Sequence, residues 1–151
     1  MPELAPSAEK DLLIWATKGD GHAVDFLLSL YDASQIADDI ADGEDRPGDM
    51  ARLMAVIFGK VCVNPFYLAH SVELRQVILT ATANWLQATR WEAQDQHRQS
   101  YAFVWRESLD QILVAVAEIV GGFDWAVQVR NASAEALYTG EQTEKFQEWR
   151  Q

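Results

Sequence analysis

Proline placement constrains this chain more than any other feature. Its four prolines are Pro2, Pro6, Pro47 and Pro65, near the start and at two junctions, and none follows Pro65. Proline removes a backbone donor and clashes with the preceding helical turn, so segments without it are free to run as continuous helix. Helix formers dominate those segments, and period-two alternation of β-branched residues is scarce. The chain therefore reads as all-α.

Apolar periodicity and terminator residues divide it into about six helices. The first is expected over Ser7–Thr17, with Leu12, Leu13 and Ala16 inward and Lys18–Gly21 closing it. A second runs from His22 to Ala41, where Gly43 and Pro47 mark the exit. A third follows Pro47, with Asp49 placed to cap its first N–H groups and Leu53, Met54, Ile57 and Phe58 supplying the apolar surface. Asn64-Pro65 is a start signal for a short helical piece, and Ser71 for a long helix reaching Arg98. A fifth helix is expected over Tyr101–Val120, with Trp105, Leu109, Ile112, Leu113, Val116 and Val120 on its inward face and Glu107 and Glu118 opposite, ending at Gly121-Gly122, and a sixth over Asp124–Tyr138.

Residues 1–6 read as flexible, and Phe146 and Trp149 predict a short terminal helix near 141–150 that packs back on the rest. At 151 residues the chain has the length of one domain, so the expectation is a compact single-domain helical bundle over 1–151.

A net charge of −11, with no Lys/Arg-rich run, opposes binding to nucleic acid or to an anionic membrane, since both reward clustered positive charge. Glu118 interrupts the longest apolar stretch, which argues against a membrane span. The N-terminus lacks the basic start and apolar core of a secretory signal, and the expected location is the cytoplasm. Cys62 is the only cysteine and reads as a small buried hydrophobe. His22, His70 and His97 are far apart and form no HExxH, which argues against a zinc site.

The densest reactive groups lie between Leu30 and Gly48, which hold six acids. At about 100° per residue, Phe26, Leu27, Leu30, Ala33, Ala37, Ile40 and Ala41 gather on one side of the second helix. Asp25, Asp32 and Asp39 form a wet stripe nearly opposite. Asp38 and Asp42, four apart, border the apolar face, where two carboxylates repel unless a cation, a base or water relieves them.

In the long helix Leu74, Val77, Ile78, Ala81, Trp85 and Ala88 define an inward face that Glu92 continues, with Asp95 at its margin. Two readings follow. Either these acids are solvated helix ends, or Asp38, Asp42, Glu92 and Asp95 converge on a divalent ion, Mg²⁺ or Mn²⁺.

Gln35–Gly48, "QIADDIADGEDRPG", resembles the first aspartate-rich motif of the trans-isoprenyl diphosphate synthases, DDxxD followed by an arginine. The resemblance implies a metal role for Asp38, Asp39 and Asp42 and a diphosphate contact for Arg46. No second DDxxD is present. Asp39-x-x-Asp42 and Glu92-x-x-Asp95 are also similar to the paired acids of the all-α nucleotide pyrophosphohydrolases. That likeness implies Mg²⁺ orienting a water on a phosphoryl group.

The reading that explains every residue without chemistry is a non-catalytic helical interaction or structural protein that needs no cofactor. Its partner is another protein or a second copy, met through aromatics outside the core stripes, Trp91, Phe103, Phe123 and Trp125. The alternatives are a Mg-dependent phosphohydrolase acting on a nucleoside triphosphate or other diphosphate-containing small molecule, and a diphosphate-binding relative of the isoprenyl synthases.

Overall fold

The computed structural model describes residues 9–106 and 109–138. Their regular structure is α1 (Glu9–Ala16), α2 (Gly21–Ala41), α3 (Asp49–Val56), a π-helical turn (Ile57–Val61), α4 (Pro65–Ala69), α5 (Ser71–Trp91), α6 (Gln96–Arg106), α7 (Leu109–Gly121) and α8 (Phe123–Tyr138). The all-α class and the helical-bundle architecture are as the sequence predicts, with eight α-helices among the described residues in place of about six. The flexible start at 1–6, Glu107 and the terminal helix near 141–150 lie outside the described residues, as do the side chains of Phe103, Trp105 and Leu109. Contacts gather the chain into two compact units, one over Lys10–Ser71 and one holding Glu9 and the described residues from Val72 onward.

In the first unit α1 ends because Lys18 and Gly19 both adopt positive φ, 53° and 79°, a backbone turn that continues no right-handed helix. Asp20 then caps α2, its carboxylate accepting the Ala23 N–H at 3.1 Å. The buried side of α2 is Ala23, Val24, Phe26, Leu27 and Ala33; Leu30, Ala37 and Ile40 are half-buried. Ala41, expected inward, is exposed because the core has ended one turn earlier.

Asn64 works twice. Its Oδ1 accepts the Tyr67 N–H at 3.0 Å and caps α4 ahead of Pro65, while its Nδ2 donates to the His22 carbonyl at 2.9 Å. That second bond ties the start of α4 to the start of α2. The tie seats Phe66 and Tyr67 against Phe26, with ring centroids 6.3 and 5.8 Å away.

The third helix departs from its expected orientation. Leu53 and Ile57 are half-buried, but Met54 and Phe58, expected inward with them, are 54% and 64% exposed. The buried positions are instead Asp49, Val56 and Val61. Val56 and Val61 are five apart, a spacing that an α-helix turns through about 500° and therefore splays. The π turn closes on that spacing, with the Cys62 N–H bonded to the Ile57 carbonyl at 2.9 Å, and both valines face inward. Cys62 is half-buried rather than fully enclosed.

In the second unit α5 stops at Trp91, seven residues short of the Arg98 limit read from its periodicity. The break comes from Asp95, whose Oδ1 accepts the Arg98 N–H at 3.0 Å and starts α6. Leu74, Ala81 and Ala88 are the buried line of α5; Val77, Ile78 and Trp85 are half-buried. The expected fifth helix is two, α6 and α7. On α7 the inward face is as predicted at Ile112, Leu113 and Val116, joined by Ala117, and Glu118 is exposed. α7 packs on α8 through Ala126, Val129 and Ala132. Gly121 is required at their junction, since a Cβ there would lie 2.4 Å from the Trp125 ring.

Candidate functional site

Of the acids singled out by the sequence, Asp39 and Asp95 make local side-chain bonds. Asp42 closes α2: its N–H bonds the Asp38 carbonyl at 2.9 Å, and its side chain is exposed. Asp38 is half-buried in the last turn of the same helix, and Asp39 accepts from Gln35 Nε2 at 3.2 Å. Asp25 and Asp32 are exposed, as the wet stripe requires, whereas Asp39, expected in that stripe, is half-buried.

Glu92, half-buried just past α5, offers its backbone carbonyl to Gln99 Nε2 at 3.0 Å. Asp95 caps α6 and pairs with Arg98 Nη1 at 3.0 Å. The Arg98 N–H donated to its carboxylate, with the guanidinium adding to it, holds Asp95 below its ordinary value of 3.8. Asp38 and Asp42 belong to the first unit, Glu92 and Asp95 to the second. Among the described residues no group of three or more His, Cys, Asp or Glu side chains is placed to hold a metal ion.

Arg46 is exposed, and its backbone N–H donates to Asp49 Oδ2 at 2.8 Å. Asp49 does not cap its own helix as expected; Gly48, with φ of 88°, takes the N-cap position without a side-chain bond. The Asp49 carboxylate points back instead, into the loop bond from Arg46 and an ion pair with Arg52. Only 3% of Asp49 is exposed, so this pairing fixes the rotation of α3.

That rotation creates the most distinctive surface of the first unit. With Asp49 held inward, Met50, Met54 and Phe58 stand outward at four-residue spacing, 56%, 54% and 64% exposed. Alongside runs a row of small exposed residues, Ala51, Ala55 and Gly59. Lys60, two residues past Phe58 and so off the ridge, is exposed, as are Asp42, Glu44 and Asp45 in the segment before the helix. The sequence contained the signal, because Met50/Met54/Phe58 and Leu53/Val56/Ile57 are rival apolar faces on one helix. Choosing between them required knowing that Asp49 is buried.

The aromatics named from the sequence divide. Phe123 is 72% exposed, Trp125 is half-buried against Gly121, and Trp91 is half-buried. Trp91 belongs to a cluster at the α5–α6 junction, with Tyr101 edge-on at 6.3 Å, Arg98 over its ring at 5.7 Å, and His97 edge-on to Tyr101 at 5.1 Å. No helix among the described residues is long and apolar enough to cross a membrane.

No protein-family model matches this chain, and no curated protein or solved structure is significantly similar to it. What the fold and the surface define is an all-α protein with an acidic composition and an outward apolar ridge on one helix.

Proposed function

We propose that this chain is a non-catalytic interaction protein whose ridge on α3 and the π turn binds another protein. The observation that carries this reading is the exposure of Met50, Met54 and Phe58 on consecutive turns of one helix. Large apolar side chains set in a row outside the core are unfavourable in water and favourable in a partner's groove. Methionine suits such a surface because its unbranched thioether adapts to the shape it meets. Their four-residue spacing sets three anchors along one side of the helix, and helix-in-groove recognition likewise draws its anchors from one helix face.

Site-specific photo-crosslinking in living cells tests this. A photoreactive residue at Phe58 is expected to give discrete protein adducts, while the same residue at exposed Asp32 gives none. Absence of adducts at Phe58 contradicts the reading. A calorimetric titration with Mg²⁺ or Mn²⁺ is the companion measurement: saturable uptake by the native chain that D42A abolishes would replace it with a metal-dependent function.

A further inference from the structure

We propose that Met50 and Met54 form a reversible oxidation site that switches the ridge: a peroxide converts their thioethers to sulfoxides and so releases the partner while the fold stays intact. This regulation rests on the interaction reading above, and it names the chemistry that turns the same surface off.

Methionine is ordinarily a core residue, yet Met50 and Met54, the two methionines among the described residues, both stand on this one face, 56% and 54% exposed. One helical turn apart, they supply two of its three large apolar side chains. The row beside them is small, Ala51, Ala55 and Gly59, all exposed, and nothing lies within 4 Å of where a Cβ on Gly59 would stand. A small neutral oxidant meets no bulky side chain on that flank.

The reaction balances with a peroxide as the only co-reactant. A thioether lone pair attacks one peroxide oxygen, the O–O bond breaks, and the other oxygen leaves as water, so each sulfur loses two electrons and the peroxide gains them. A dithiol-dependent reductase reverses the change, removing the oxygen as water while its two thiols become a disulfide. Each sulfoxide places a polar oxygen where a partner's groove must exclude water, and burying that oxygen unpaired is unfavourable. In a core the same oxidation would disrupt packing; here it spares the fold, because the buried side of α3 is Asp49 and Val56.

Two measurements on the full-length chain decide the matter. In purified protein treated with hydrogen peroxide, peptide mass spectrometry is expected to find one added oxygen on each of Met50 and Met54, formed at about the rate of free methionine, with the thermal midpoint unchanged. Much slower oxidation, or a chain that unfolds on oxidation, overturns the proposal. In cells, brief peroxide treatment is expected to lower the adduct yield of the photoreactive residue at Phe58 by about tenfold in the native chain. In M50L/M54L the yield is expected to stay at that variant's own untreated value, since leucine offers no sulfur. Cys62 is present in both chains, so its oxidation cannot produce the difference. Equal losses in the two chains, or adducts that persist once both sulfoxides have formed, overturn the switch and leave the interaction reading standing. Absence of adducts before any peroxide is added overturns both.

Discussion

Each unit buries an aspartate, and the two are neutralised at different ranges. In the first, Asp49 meets only near neighbours, the Arg46 N–H and the Arg52 guanidinium, each three residues away. In the second, Asp110 on α7 is 6% exposed and faces the guanidinium of Arg130, which belongs to α8. A carboxylate removed from water is costly unless it is paired, so both burials need their partners. Asp49 is served by the chain that surrounds it and sets the rotation of one helix. Asp110 is served only when two helices have packed, so its pairing reports the α7–α8 interface.

The sharpest way to break this contrast is to remove the arginines in turn. Arg130→Met leaves Asp110 buried without its cation, and a loss of about 2–3 kcal/mol is expected by chemical denaturation; the figure is discounted because Arg130 itself is 45% exposed. Arg52→Met is expected to cost less, about 1 kcal/mol, because Asp49 keeps the Arg46 N–H and Arg52 is 49% exposed. Equal losses would show that the backbone bond contributes nothing and that the two burials are alike.

The smallest effect belongs to a third aspartate, the exposed Asp95. Its folded carboxyl is held below the ordinary 3.8, so its contribution is present above that value and is lost as pH falls through the folded one. Asp95→Asn is expected to lower stability slightly at all pH values above about 4 and to converge with the native chain as pH falls below that. A difference that grows as pH falls below about 4 would contradict the assignment.

Much of this architecture could be read from the chain, and the reasons are local. Asn64-Pro65 named the start of α4 correctly because a cap and an N1 proline act on their own backbone. Leu13, Leu27, Leu74, Ile112 and Val116 were legible as core because the helical period alone places them. The break at Trp91 was hidden because the apolar period continues toward Glu92, and one capping bond at Asp95 outweighs it.

The ridge was hidden for a tertiary reason. α3 has two candidate apolar faces, and the choice depends on a buried carboxylate and a π turn, neither of which leaves a periodic trace. The aspartate-rich motif was conspicuous in the sequence because carboxylates four apart are easy to see. In the structure Asp42 ends a helix and Asp39 bonds a glutamine one turn back.

The outward setting of Met54 and Phe58 is the premise of the proposed function, and one stability measurement tests it directly. Urea denaturation of M54E/F58E, at protein concentrations low enough to keep the chain dissociated, is expected to give a free energy within about 0.5 kcal/mol of the native chain, as surface substitutions do. Val56→Glu, on the buried side of the same helix, is expected to unfold it or to cost about 3 kcal/mol or more. A comparable collapse of M54E/F58E would put those side chains in the core, as the apolar period alone suggests, and would remove the ridge from the protein.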